Sequence, residues 1–298
     1  MILRGYGHAE QLTAESAEKS KLTPPPSPLP ARGEGESSGS EVPSPFTGRG
    51  FRGGVRLPIL TVADLNFAYG DHTVLRDVSF ALHPGERVGL IGPNGAGKTS
   101  LFLLIAGVLK PASGVIALAE KPVKYGDFHP EIGLVFQNPD DQLFSPSVWD
   151  DVAFGPQNMG LSEAEIETRV RDALATVGAA AWAERPPHHL SGGEKRMVSI
   201  AGVLAMQPQL VIYDEPDANL DVRSRRRLIQ FLQASRQTLL VASHDLELIL
   251  EVCDRVLLLD DHRIAADGDP RVIMGNRTLM EAHGLEKPHS LIPHRHAI

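Results

Sequence analysis

The stretch Gly92-Pro93-Asn94-Gly95-Ala96-Gly97-Lys98-Thr99-Ser100 constrains this chain more than any other. It fits G-x-x-x-x-G-K-[ST], a pattern whose glycines let backbone N–H groups approach phosphate oxygens with no Cβ in the way. Val88-Gly89-Leu90-Ile91 before it predicts a short buried strand, and Leu101, Phe102, Leu104 and Ile105 after it predict an apolar helix. Strand, glycine-rich loop and helix N-terminus together make an anion cradle. In such a cradle Lys98 reaches the β- and γ-phosphates, and the Thr99 hydroxyl ligates Mg²⁺. A simple glycine-rich turn would use the glycines equally well but has no need of the lysine and threonine.

Composition narrows what the cradle serves. With 37 acidic and 29 basic residues the formal charge is -8, which argues against nucleic acid as a partner, because phosphate contacts need concentrated Lys and Arg. The one basic cluster, Arg223, Arg225, Arg226 and Arg227, reads as a solvated helix face. A single cysteine, Cys253, excludes an internal disulfide and fits a reducing compartment. It falls in an expected amphipathic helix and reads as simply packed. No apolar run approaches the roughly 18 residues of a membrane span, and the N-terminus lacks a signal-peptide apolar segment. The expectation is a chain neither exported nor membrane-spanning by itself.

Residues 1–58 differ in kind from the rest, with Pro24-Pro25-Pro26 followed by Ser, Gly, Glu and Arg in low-complexity order. Such a segment buries too little apolar surface to offset its ordering entropy, so disorder is expected. Residues 27–35 and 45–50 resemble translated intergenic repeat DNA, which suggests an over-called start with the true one near Val55 or Val62. A proline-rich recognition arm is the alternative. From Ile59 the apolar alternation in residues 59–67 and 74–82 predicts antiparallel strands, with Tyr69 before a Gly70-Asp71 turn and a further strand at residues 114–118.

Helical character dominates from Ser145 to about Pro187, where Ser162 and Glu165 form a capping box and Leu161 and Ile166 its hydrophobic staple. An inserted helical subdomain over about 145–190 follows. Residues 210–213 and 238–242 read as buried parallel strands, the first ending in Asp214 and Glu215, the second in Ser243 and His244. Strands alternating with helices imply a parallel α/β core with its site at the strands' carboxyl ends. Residues 256–266 read as a terminal hairpin, and residues 270–298 as a short helix with a His-bearing tail.

These strand ends carry the chemistry. Asp214 is placed to hold Mg²⁺, Glu215 to orient and deprotonate water, His244 to meet the γ-phosphate, and Gln137 to offer an amide to Mg²⁺ or water. A carboxylate pair is often only a helix cap, but here it closes an apolar strand downstream of a phosphate cradle. Ser191-Gly192-Gly193-Glu194 also fits a capping box, and a helix N-terminus bearing two glycines is an anion site as well. A second anion site makes sense if it serves another subunit's nucleotide.

From about Ile59 to about Asp269 the chain resembles an ATP-binding cassette protein. The resemblance rests on Tyr69, residues 92–100, Gln137, residues 190–194, Asp214, Glu215, Asn219-Leu220-Asp221 and His244, in that order. It implies a P-loop NTPase fold of the cassette type: a mixed sheet core with an antiparallel β subdomain and an inserted helical subdomain. It also implies ATP with Mg²⁺ as cofactors, Tyr69 stacking on adenine, and a head-to-tail dimer. In that dimer Ser191, Gly192 and Gly193 act at the partner's nucleotide, Asp221 counts among the nucleotide-binding residues, and Lys98, Gln137, Glu215 and His244 carry hydrolysis.

Residues 135–148 and 151–158 resemble more narrowly the ATPase subunits of energy-coupling-factor importers of vitamins or of cobalt and nickel ions. That implies a transmembrane coupling subunit docked at this region, a substrate-binding membrane component, and a place on the cytoplasmic face of the membrane. Asp140 and Asp141 are expected to form an acidic rim, with Phe136, Leu143 and Phe144 lining a groove. His283-Gly284-Leu285-Glu286 and Pro288-His289-Ser290-Leu291 resemble cobalt/nickel-type tails, and His294 and His296 add nitrogen donors of the kind those ions accept. Residues 216–219 depart from the family's usual threonine-bearing sequence, and Val222 stands where proline is common.

Overall fold

Two-residue periodicity builds a small sheet from the first apolar segments. In a computed structural model that describes residues 57–292, β1 (Leu60–Tyr69) turns at Gly70 into β2 (His72–Leu82). With β4 (Ser113–Leu118) and β5 (Lys121–Pro122) they form a four-stranded antiparallel sheet of order β2-β1-β4-β5. The expectations for residues 1–56, and for His294 and His296, lie outside the described residues.

Between β2 and β4 the chain enters the second sheet as β3 (Arg87–Ile91) and then forms α1 (Lys98–Ile105). β6 (Ile132–Val135), β7 (Leu210–Asp214), β8 (Thr238–Ala242), β9 (Arg255–Asp260) and β10 (Arg263–Gly268) complete a six-stranded sheet of order β10-β9-β3-β8-β7-β6. All its pairings are parallel except the β9–β10 hairpin. Side-chain alternation divides its two faces. Leu210, Ile212, Leu240, Leu257 and Leu90 meet α1 and the small sheet, whereas Val211, Tyr213, Leu239, Val241, Val256 and Leu258 meet the helices.

Those helices are α2 (Val148–Asn158), α3 (Glu163–Thr176), α4 (Gly192–Leu204), α5 (Val222–Ala234) and α6 (Leu246–Val252). The capping box at Ser162 is formed as expected. Past Gly268 come α7 (Pro270–Gly275) and α8 (Arg277–Ala282), two helices where one was expected. Asn276, extended at ψ 95, ends the first and caps the second through Leu279 N.

Two other expectations change. Cys253 lies just past α6 rather than within it, and burial pushes its thiol up to about 12, so it is inert. The α5 arginines are not a purely solvated face. Arg225 pairs with Asp245, Arg226 with Glu251 at 2.7 Å, and Arg227 donates to Val177 O at 2.7 Å while lying over the Trp182 ring.

Candidate active site

Because β3, β6, β7 and β8 run parallel, the residues that follow each of them emerge on the same edge of the sheet. β3 delivers residues 92–100, β7 ends in Asp214 with Glu215 next, β8 leads to Ser243 and His244, and β6 leads to Phe136 and Gln137. Sites far apart in sequence thus become one cluster.

The cradle is shaped by backbone that only glycine adopts comfortably. Gly95 has φ +80 and Gly97 φ +99, and a Cβ on Gly97 would come within 2.8 Å of Val74. Of the eight α-helices among the described residues, α2 to α8 each have a side-chain cap, from Ser147, Ser162, Ser191, Asp221, Asp245, Asp269 and Asn276. α1 has none, since Gly97 occupies its N-cap. Its first N–H groups are therefore left to an anion. Lys98 folds its Nζ back onto the loop, donating to the carbonyls of Gly92 at 2.8 Å and Pro93 at 3.0 Å. Burial holds the Lys98 ammonium below its usual range, against the opposing pull of Glu215 and Asp214.

Beside it, Thr99 Oγ1 donates to Asp214 Oδ2 at 2.8 Å. Burial raises Asp214 above the usual carboxylate range, partly offset by that bond. A hydroxyl and a buried carboxylate on one spot are hard oxygen donors, the set that suits Mg²⁺. Glu215 sits at φ 46, a left-handed conformation unusual for a non-glycine residue. Its N–H donates to Ala242 O at 2.9 Å, and its two carboxylate oxygens meet Gln137 Nε2 and His244 Nε2, each at 2.6 Å. Three of the four residues expected to carry hydrolysis, Gln137, Glu215 and His244, are therefore in direct contact. Tyr69 leaves its ring 52% exposed, edge-on to Phe67, with its hydroxyl 3.5 Å from Ser100 Oγ.

Ser191, Gly192 and Gly193 are not joined to that cluster. Ser191 forms the capping box of α4, its Oγ donating to Glu194 Oε2 at 2.8 Å. The two glycines serve different ends. Gly192 faces open space, whereas a Cβ on Gly193 would lie 2.3 Å from Ser224 Oγ. Asp221 caps α5, accepting from Arg223 N, Ser224 N and Ser224 Oγ, so within this chain its carboxylate is engaged away from the cradle.

In the segment after β6, Asp140 forms the 3-10 turn Pro139–Asp141 and pairs with Lys195 Nζ at 2.6 Å. The expected acidic rim is thereby reduced, since one of its two carboxylates is already matched within the chain. Leu143 packs on the core, while Phe144 is 65% exposed and meets Phe154 edge-on at 5.0 Å. Asp151 Oδ1 accepts from Phe144 N and Ser145 N, which holds the backbone that carries the exposed ring.

Sequence reasoning missed Arg196. It is 1% exposed and donates to the Phe136 and Gln137 carbonyls. Burial pushes it down to about 10, with Asp217 and Asp214 pulling it back, so it stays charged at neutral pH. Little in the sequence signals it, because Arg196 follows Glu194 and Lys195 and so reads as part of a solvated charged turn. Asp217, noted only as a departure, accepts from Ser243 Oγ at 2.7 Å and so links the loop after β7 to the residue before His244.

A glycine cradle, an uncapped helix and strand-end carboxylates define a nucleotide-hydrolysing site of the P-loop class. The ABC transporter family profile matches residues 75–218. A putative ABC transporter ATP-binding protein of Synechocystis sp. is 55% identical over 235 residues, 78% of this chain and 83% of that one. The energy-coupling factor transporter ATP-binding protein EcfA of Methanothermobacter thermautotrophicus is 44% identical, over 77% of each. Among solved structures, cbiO1 from Clostridium perfringens, described as part of the ABC transporter complex cbiONQ, superimposes with TM-score 0.68 at 37% identity, covering 76% of this chain and 94% of that one. The chain belongs to the ABC transporter ATP-binding family and is an ATP-hydrolysing cassette of the energy-coupling-factor type.

Proposed function

We propose that this cassette energises import of cobalt or nickel ions, working as a dimer on the cytoplasmic face of a membrane with separate transmembrane and substrate-binding components. The observation that carries the hydrolytic part is Glu215 held at 2.6 Å by both Gln137 and His244, beside the Thr99–Asp214 pair. ATP displaces Lys98 from the Gly92 and Pro93 carbonyls onto its phosphates, and the α1 N–H groups and the Tyr69 ring complete its binding. Thr99 and Asp214, with Gln137 beside them, would hold Mg²⁺, which when bound would supply charge neutralisation to the phosphates. Glu215 takes a proton from the attacking water as its oxygen bonds the γ-phosphorus and ADP leaves. Ser191, Gly192 and Gly193, at the N-terminal end of α4, face the γ-phosphate of a second copy.

Partner docking is supported by the exposed Phe144 ring and by cbiO1 belonging to a multi-subunit complex. No helix among the described residues is long and apolar enough to cross a membrane, which fits a cassette that relies on others for the membrane. The ion assignment rests on the tail resemblance and on the likeness to cbiO1. Uptake of labelled cobalt, nickel and vitamins into vesicles holding the complete complex checks it, and vitamin uptake alone would overturn it.

The catalytic reading is tested by Glu215→Gln, expected to lower kcat by about 10²- to 10⁴-fold with ATP affinity retained, whereas Lys98→Ala weakens ATP binding itself. The Glu215→Gln protein is expected to elute as an ATP-dependent dimer on size exclusion, lost when Ser191→Arg is added. Parental hydrolysis by Glu215→Gln removes Glu215 from the role of base. Docking is tested by Phe144→Asp, expected to reduce pull-down of the transmembrane subunit at least about tenfold with ATPase activity retained, as for an anchor of an interface. Undiminished pull-down overturns it.

A further inference from the structure

Arg196 is the largest of the fully buried side chains among the described residues, on the side of α4 that it shares with the buried Ser199 and Ile200. Burying a guanidinium is unfavourable unless its donors are used. Its two terminal nitrogens bond the main-chain carbonyls of Phe136 and Gln137, and its Nε is left without a partner. For stability alone, an apolar residue of similar volume commonly does as well or better. What a planar two-pronged donor does that an apolar residue does not is fix the position of two consecutive peptide groups.

The same helix holds the same loop at further points. Lys195 reaches Asp140, Gln142 Nε2 donates to Ser199 O at 3.3 Å, and Gln142 Oε1 accepts from Phe136 N at 3.3 Å. A cavity of about 320 Å³ is lined on one side by residues 137–140 together with Gly192, Lys195 and Arg196 of α4, and on the other by Ala218, Asn219 and Leu220. Residues 136–142 are therefore anchored to α4, and the open space lies between this joined piece and residues 218–220. The opposite end of that attachment is functional too, because Ser191 and Gly192 begin α4.

We propose that Arg196 is a positioning residue that locks Phe136 and Gln137 to the Ser191 end of α4, so that the group serving this chain's own nucleotide and the group offered to a partner's nucleotide move as one body. The inference rests on the composite-site reading above, in which Ser191 acts at the nucleotide of a second copy. Nucleotide captured by Ser191 then draws Gln137 into place, and Gln137, bonded to Glu215 at 2.6 Å, sets the hydrolytic centre. Through Asp140 and Leu143 the same rigid piece reaches the exposed Phe144. Arg196 itself touches no nucleotide.

The experiment measures ATP hydrolysis against ATP concentration, and equilibrium binding of a fluorescent ATP analogue, for the full-length chain and its variants Arg196→Met, Arg196→Lys, Gln137→Ala, Ser191→Arg and Arg196→Met/Gln137→Ala. The parent is expected to show a Hill coefficient above one. Arg196→Met is expected to leave the analogue's Kd within about threefold, lower kcat at least about tenfold and bring the Hill coefficient to about one. Arg196→Lys recovers part of kcat, because an ammonium reaches one carbonyl but not both. With Gln137→Ala already present, Arg196→Met should lower kcat by less than about threefold more, the non-additivity expected of residues acting through one another. If Arg196→Met fails to fold, Arg196→Lys, which keeps the charge and a donor, carries the same comparison. Additive losses, a parental Hill coefficient in the Arg196 variants or a parent coefficient of one would each overturn the proposal. Parental kcat in Ser191→Arg would instead remove the composite-site reading, so the two failures are distinguishable.

Discussion

At Asp214 the site and the fold want different things. Burial raises this carboxyl above its usual range, so in the nucleotide-free chain the native state binds its proton more readily than the unfolded state does. Stability from this group is therefore lost as pH rises from the unfolded Asp value through the raised native one, and at neutral pH the ionised carboxylate weighs against folding. Asp214→Asn keeps the shape, removes the charge and is expected to stabilise the nucleotide-free protein at pH 7 by about 0.5–2 kcal/mol, while hydrolysis collapses. In a domain of this size that is a rise of roughly 2–4 °C in Tm per kcal/mol, read by calorimetry without nucleotide. The gain should vanish below the unfolded Asp value. An Asp214→Asn protein less stable at pH 7 would show that the Thr99 bond outweighs the burial. Glu215, held at φ 46, is a second local concession to function.

At the scale of elements, α4 and α5 meet at one tight point, Gly193 against Ser224. Gly193→Ala brings a Cβ to 2.3 Å from Ser224 Oγ and 2.8 Å from its Cβ, so backbone has to yield. Urea unfolding is expected to show a loss of about 1–3 kcal/mol, reduced by at least half in a Ser224→Gly background, where the obstacle is gone. An equal loss in both backgrounds would place the cause elsewhere. Such pairings explain what could be read from sequence and what could not. Residues 92–100, Asp214, Glu215 and His244 were legible because each ends a buried strand, and parallel strands expose their ends together. The partners of Arg196, of Asp140 and of Gly193 lie at positions 136, 195 and 224. No local pattern connects them. The break at Asn276 was missed because two short helices share one apolar periodicity, and the interruption is a single extended residue.

On the scale of the whole molecule, the six-stranded sheet joins early and late parts of the chain. β3, which carries the phosphate loop, lies between β8 and β9, and Arg87 at its start is bonded to Asp254 through both Nε and Nη2. The tail returns to this body as well, with Ser290 bonded to Glu247 on α6 and His283 to Asp260 at the end of β9. This order of assembly bears on how the protein is made. During synthesis the phosphate loop leaves the ribosome long before residues 238–260, and until those arrive β3 has no neighbour on either side. A nascent chain thus carries a complete phosphate-binding sequence with no strand to hold it open, and at translation speeds of about 5–20 residues per second that interval lasts many seconds. The ribosome-bound fragment is therefore expected to be blind to ATP until residues 238–260 have emerged, which labelling of stalled nascent chains with a photoreactive ATP analogue checks.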